Sequence, residues 1–221
     1  MVESAIAAPL VLLLLVGVLE MGSLLRTYST AANAARAAGR AASIAGADPM
    51  ADRMVLSRLQ REAAGGFKGQ IRFVVIWHAA GPGQGPPAGC IPTSMAAPNT
   101  STVGVSDGGV DAVGACNVYI RPEAPGGAFE RVAAAPSGPN PAFGCQGPGD
   151  PQAGSKLDCA WPGKNRRAVT SPRSAATPVP TDLIGVHVEF EHRFHTALVS
   201  PSRTVRETTI NLIEPVGYEF G

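Results

Sequence analysis

Charged side chains are scarce in this chain, and the two signs nearly cancel. Its 221 residues include 18 Lys and Arg against 17 Asp and Glu, which leaves a formal net charge of +1. Domains that bind nucleic acid concentrate positive charge on one face to attract phosphates. We therefore expect no nucleic-acid partner.

The four cysteines include no Cys-x-x-Cys pair and no Cys/His cluster at zinc spacing, so we expect neither metal nor cofactor. All four lie in a segment rich in glycine and proline, at about residues 79–182, which favours long loops. An even number of cysteines in such a weakly cored segment favours disulfides in an oxidising compartment. Three pairings are possible, and we favour Cys90 with Cys116 and Cys145 with Cys159, because near neighbours close small loops.

A long apolar run follows the N-terminus, and an acid stands near each of its ends. A helix over residues 4–25 is about 33 Å long, enough to cross the hydrocarbon layer of a bilayer. Glu3 precedes the run and Glu20 lies near its far end. Because a carboxylate near hydrocarbon needs a partner or an interface, we interpret Glu3 as functional and Glu20 as a second candidate.

A cleavable secretory signal is the competing interpretation of this run. Such a signal has a basic leading region, a short apolar centre and a small-x-small cleavage site. Here no Lys or Arg precedes the run, its apolar part is long, and helical sequence continues past it to about Ala45. We expect a retained, single-pass membrane anchor.

Beyond the apolar run the same helix is divided into two stripes. One stripe is small and apolar and recurs at spacings of three and four; the other is polar, with the same period. The apolar stripe is Leu24, Tyr28, Ala31, Ala35, Ala38, Ala42 and Ala45, and the polar stripe is Arg26, Ser29, Asn33, Arg36, Arg40 and Ser43. The first is expected to pack against another helix or a sheet, and the second to face water or partners.

The remaining elements predict an α+β fold. A short helix is expected from Pro49 to Ala64, with Asp48 as its N-cap and glycines at 65 and 66 as its stop. Strands are indicated where β-favouring residues alternate. The alternating sets are Ile71, Phe73, Val75 and Trp77; Cys116, Val118 and Ile120; and Ile184, Val186, Val188 and Phe190, followed by a fourth β-rich segment, 205–213. The predicted architecture is a long N-terminal transmembrane and amphipathic helix packed on a small antiparallel sheet, with long disulfide-stapled Gly/Pro-rich loops.

An enzymatic interpretation depends on a cluster in the third strand. His187, Glu189 and Glu191 share one face, with His192 and His195 close by, so an imidazole and two carboxylates are available to a metal or a proton. Alternation instead favours a solvated face opposite the apolar residues, and we expect no enzyme. A calcium loop at Asp107 and Asp111 and a basic ligand-binding loop at 164–167 are likewise interpreted as ordinary turns.

Several short motifs resemble the TadE/TadG family. They are Val2-Glu3 opening the apolar run, Ala8-Pro9-Leu10, Gly17 followed by Glu20-Met21-Gly22, Asn33-Ala34-Ala35-Arg36 and Gly39-Arg40-Ala41-Ala42. Members of this family are pilin-like membrane proteins of the tight-adherence pilus machinery. The resemblance covers about the first 45 residues. It implies a pilin-like fold and gives Glu3 the part of the acid that neutralises the N-terminus of a neighbouring subunit. The basic residues and glycine that precede a prepilin peptidase site in the family are absent here.

We therefore predict a non-enzymatic minor pilin or pilus assembly protein, with residues 1–46 as the membrane and assembly helix and 47–221 as an extracytoplasmic domain. Glu3, Glu20, Arg36 and Arg40 are the expected assembly residues, and the expected partners are pilin-like subunits, the assembly machinery and membrane lipid. Arginines 26, 36 and 40 follow the span, which by the positive-inside tendency favours the opposite orientation, but the cysteines favour export. The alternative is a signal-anchored extracytoplasmic binding domain that joins no filament.

Overall fold

The structure is a computed structural model, and it describes residues 2–46, 48, 51–64, 71–91, 113–120, 166, 181–196 and 201–214. Among these residues, two helices are followed by four strands. In chain order they are α1 (Val2–Ala45), α2 (Ala51–Ala64), β1 (Ile71–Ala79), β2 (Cys116–Ile120), β3 (Leu183–Arg193) and β4 (Ser202–Leu212). The predicted α+β class, with a long N-terminal helix on a small antiparallel sheet, is confirmed.

Helix α1 runs without a break for 44 residues and includes Pro9. All of the predicted apolar stripe is buried except Tyr28. Tyr28 is half-buried and packs against the hydrophobic core that the alanines of the stripe enter. The helix ends where Gly46 takes a positive φ of 48° and donates its N–H to Ala42 O at 3.2 Å. Glycine reaches this left-handed conformation at little steric cost, and it is a common way to end a helix.

Helix α2 turns back from α1 and packs beside it. It is described from Ala51, whose N–H donates to Asp48 O at 2.9 Å; Pro49, its predicted start, lies outside the described residues. Its buried side chains recur at helical spacing, so one face enters the core shared with α1. These residues are Val55, Leu56, Leu59 and Ala63.

The sheet is antiparallel throughout, in the order β2-β1-β3-β4. Strand β1 pairs with β3 only as far as Phe190. The pairing of β3 with β4 continues to Arg193 opposite Ser202. Among the described strands, the β3–β4 hairpin therefore extends past the rest of the sheet at one end.

One face of the sheet holds α1 and α2, and the other carries a second apolar cluster. Ile184, Val186, Val188 and Phe190 of β3 enter the first core, whereas Phe73, Val75 and Trp77 of β1 pack with Cys90, Cys116 and Val118 on the opposite face. The prediction that Ile71 shares a face with Phe73 is wrong. The β1–β3 register shifts between them, and the extra residue turns Ile71 toward the helices.

A disulfide fastens the far edge of this second face. The 3-10 turn Ala88–Cys90 places Cys90 beside β2, and Cys90 is bonded to Cys116. The first of the two favoured pairings is thus confirmed. Cys145 and Cys159 lie outside the described residues, and their pairing stays a prediction, as does the division of the chain at residue 46.

Candidate functional site: the exposed helix and its boundary with the domain

The first half of α1 carries large apolar side chains that the domain leaves uncovered. From Ala7 to Leu15 every residue is exposed, and Leu19 is 72% exposed, whereas Leu24 is only 7% exposed. The helix is long and apolar enough to cross a bilayer, with a mean hydropathy of 2.2 in its most apolar window. Glu3 lies in the first turn of this half; its side chain is outside the described residues.

Glu20 stands where the exposed half of α1 meets the domain. Its Oε1 accepts hydrogen bonds from the Thr196 backbone N–H at 2.7 Å and from Thr196 Oγ1 at 3.0 Å. Thr196 follows β3 in the hairpin that extends past the sheet. The sequence identified Glu20 as a candidate but offered no signal for this partner, which is 176 residues away along the chain.

A second polar contact lies at Thr27, about two helical turns beyond Glu20 on α1. The Thr27 hydroxyl donates to Ser23 O at 3.0 Å, and its oxygen lies 2.8 Å from His192 Nδ1. This arrangement fits the tautomer in which His192 carries its proton on Nδ1. Burial lowers the pKa of His192, although the negative charge of Glu20 opposes this shift and His195 reinforces it. We call Glu20, Thr27, His192 and Thr196 the boundary cluster.

The predicted polar stripe of α1 is exposed over most of its length. Arg26, Ser29, Asn33, Arg36 and Arg40 are all exposed, and Arg36 Nη1 donates to Asn33 Oδ1 at 3.4 Å. The stripe ends before its last predicted member: Ser43 is buried, and its hydroxyl donates to Leu212 O of β4. The interpretation of Ser43 as an outward residue is wrong because β4 passes beneath the end of the helix.

The histidine and carboxylate cluster of β3 is not on a solvated face, so that interpretation is wrong. His187 and Glu189 are buried, Glu189 is paired with Arg72 at 3.0 Å and Arg206 at 2.8 Å, and His187 Nδ1 lies 2.8 Å from Thr208 Oγ1. Burial lowers the pKa of His187 to about 4, with Arg206 reinforcing and Glu189 opposing the shift. Across the part of the chain that the structure describes, no three His, Cys, Asp or Glu residues are placed to hold a metal ion.

Arg166 is the one described residue of the basic loop at 164–167, and it does not fit the predicted solvated turn. Arg166 is buried, and its Nη2 lies 2.5 Å from Asp52 Oδ1. The other oxygen of Asp52 accepts from Asn117 Nδ2 at 2.6 Å and from Tyr119 Oη. This network joins α2, β2 and the loop, so it stabilises the domain. Trp161, Lys164, Arg167, Asp107 and Asp111 lie outside the described residues.

The described chain is thus an α+β domain carried on one N-terminal helix that is long and apolar enough to cross a membrane. The family described as TadE-like protein matches residues 1–40. The match confirms the resemblance found in the sequence: residues 1–40 are similar to TadE-like proteins. No curated protein and no solved structure matches the chain.

Proposed function

We propose that this protein is a minor pilin or assembly subunit of a tight-adherence pilus, and that it acts through helix packing and not as an enzyme. The observation that carries the proposal is the coincidence of two features in one segment. The residues that match the family, 1–40, include the half of α1 whose apolar side chains the domain leaves exposed. An uncovered helix of this kind is suited to lipid and, after assembly, to neighbouring helices.

The proposed location is the cytoplasmic membrane, with the domain outside the cytoplasm. The Cys90–Cys116 disulfide supports this orientation, because structural disulfides persist in oxidising compartments. Small residues in the second half of α1 let the domain approach the helix closely and leave the polar stripe outward. Arg36 and Arg40 on that stripe are proposed contacts for other subunits and for the assembly machinery.

Glu3 is the proposed assembly residue at the membrane edge. Its replacement by Gln removes the charge with little change of shape, so helix formation and membrane insertion are expected to persist. The change would remove charge-assisted pairing with the N-terminus of a neighbouring subunit, a contact strengthened by a low local dielectric.

The test compares Glu3→Gln with Glu3→Asp, which keeps the charge, in cells lacking the wild-type copy. Membrane levels of the protein, its recovery with sheared filaments and the number of surface filaments are measured separately. We expect normal membrane levels for both variants and reduced recovery with filaments for Glu3→Gln alone. Unchanged recovery and piliation would instead favour an anchored binding domain that joins no filament.

A further inference from the structure

We infer that the described end of the β3–β4 hairpin, residues 193–196 with Arg203, binds the anionic headgroups of the membrane in which α1 is embedded; we call these residues the hairpin tip. This inference rests on the membrane placement in the proposed function, but it does not depend on filament assembly. Its basis is the place where the hairpin meets α1, together with the charge of the side chains around that contact.

The hairpin tip meets α1 near the end of the uncovered apolar segment; beyond Glu20, Met21 and Leu25 are also exposed. Thr196 is hydrogen-bonded to Glu20, and Leu19, the residue before Glu20, is 72% exposed. A helix from Val2 to Leu19 is about 27 Å long, close to the thickness of the hydrocarbon layer, about 30 Å. A hydrocarbon layer that begins at the start of α1 therefore ends near Glu20, which brings the headgroups to the level of the hairpin tip.

Around this contact three arginines outnumber two glutamates, Glu20 and Glu191. Arg26 on α1, Arg193 on β3 and Arg203 on β4 are exposed, and His195 is exposed between the strands. Arg193 lies 3.7 Å from Glu191, but its side chain is 72% exposed, and exposed ion pairs of this kind are weak. Glu20 is already engaged by Thr196. The charges present at this level therefore favour an anionic surface.

Two contacts of the boundary cluster hold the tip in place against α1. The Glu20–Thr196 hydrogen bonds fix the tip itself, and the Thr27–His192 contact fixes the strand behind it. A tip held in this way presents its cations without further ordering, which reduces the entropic cost of binding. Each arginine near an anionic membrane surface is expected to strengthen binding about fivefold.

The test uses the full-length protein, one copy per nanodisc, with a gadolinium chelate on a small fraction of the lipid headgroups. Paramagnetic relaxation of the Phe194, His195 and Thr196 amides is compared between zwitterionic discs and discs containing phosphatidylglycerol. We expect stronger relaxation in the anionic discs, and a smaller difference between the two disc types as salt screens the headgroup charge. Equal relaxation in both disc types would overturn the inference.

Charge-reversal variants separate contact from mere proximity. The double variant Arg193→Glu with Arg203→Glu should lose the difference between the two discs. The matched control, Arg36→Glu with Arg40→Glu, changes the same charge on α1 but about 24 Å or more beyond Glu20, well past a Debye length of about 8 Å. It should keep the difference. If the two glutamates disturb folding, Arg193→Gln with Arg203→Gln is used in their place. This milder change should reduce the difference between the two disc types.

Three other results would contradict the inference and show what replaces it. Failure of the full chain to co-elute with the discs would remove the membrane placement, and with it both this inference and the anchored part of the proposed function. Loss of the difference between the two disc types when inorganic phosphate is added at constant ionic strength would indicate a free-anion site. Relaxation found only in discs holding two copies would indicate a contact between subunits.

Discussion

Within α1, residues 7–19 carry large apolar side chains that the domain leaves exposed, whereas residues 31–45 are mostly alanine, and most of these alanines are buried against α2 and the sheet. Both halves belong to one unbroken helix. Large side chains suit lipid, which imposes no fixed shape, while small ones let a folded surface approach closely. The size of the apolar residues, more than their number, thus distinguishes the half that meets lipid from the half that meets protein.

The largest expected effect is a loss of domain stability that leaves the membrane helix in place. Asp52→Ala removes the carboxylate that Arg166, Asn117 and Tyr119 share, and it leaves buried donors and a buried charge behind. Breaking a buried pair in this way costs about 3–5 kcal/mol. We expect the domain to unfold at much lower denaturant concentration while the protein stays in the membrane fraction.

The measurement pairs denaturant unfolding, followed by the near-ultraviolet signal of the domain, with membrane fractionation of the same samples. Asp52→Asn, which keeps an oxygen acceptor, serves as the milder control and should lie between the wild type and Asp52→Ala. Loss of membrane partitioning together with domain stability would show that the two halves do not behave independently.

Acid should lower the stability of the folded domain through His187 in β3. Its pKa is lowered from 6.5 to about 4 in the folded protein, chiefly by burial. The unfolded chain therefore binds more protons between these values, so stability is complete above about pH 6.5 and is lost as pH falls toward 4. At about 1.4 kcal/mol per pKa unit, the loss has an upper limit of about 3.5 kcal/mol.

This pH dependence is measured by denaturant unfolding from pH 7 to pH 4. His187→Gln retains a side-chain partner for Thr208 but does not titrate, so its stability should fall less over this range. Equal slopes for the two proteins would mean that His187 does not dominate the acid sensitivity of the domain.

A pair of glycines tests the comparison within α1 directly. A Cβ at Gly39 would lie 2.3 Å from Asn211 Nδ2 and 2.5 Å from Thr209 Cγ2, whereas nothing lies within 4 Å of a Cβ at Gly17. Gly39→Leu is expected to destabilise the domain by about 1–3 kcal/mol through overpacking. Gly17→Leu, the same change in the exposed half, should leave domain unfolding unchanged. Equal effects of the two changes on the unfolding midpoint would contradict the assignment of one half to lipid.

Much of this arrangement follows from local pattern. The spacing of Ala31, Ala35, Ala38 and Ala42 predicted the buried stripe, and alternation in β3 predicted which residues face the helices, because one regular element fixes both patterns. The family motifs lie within the same first helix.

What the sequence did not predict depends on partners that are distant along the chain. Arg166 and Asp52 are 114 residues apart, so neither position indicates that the other will bury it. Ser43 fits the polar period but meets Leu212, and the extra residue in β1 reverses Ile71 without a local signal. Burial of Glu189 required two arginines from neighbouring strands, which depends on strand order.

The smallest effect is expected at the junction of the two halves. Glu20 lies in α1 and accepts both hydrogen bonds from Thr196 in the hairpin, so it connects the uncovered helix to the sheet by a route separate from the alanine stripe. Glu20→Ala removes both hydrogen bonds, which loosens the hairpin locally. The domain core contains no part of this contact, and its unfolding midpoint should change little.

Hydrogen exchange resolves this local change. The Thr196 amide donates directly to Glu20, so its exchange should become faster in Glu20→Ala. Glu20→Gln keeps an oxygen acceptor without the charge and should give an intermediate rate. Amides of β3 that pair with β1, such as Val188, serve as the internal reference, since their protection reflects the sheet. If Thr196 exchanged at the wild-type rate in Glu20→Ala, the Glu20 carboxylate would not be what holds the hairpin against α1. The contact between Thr27 and His192 would then hold it.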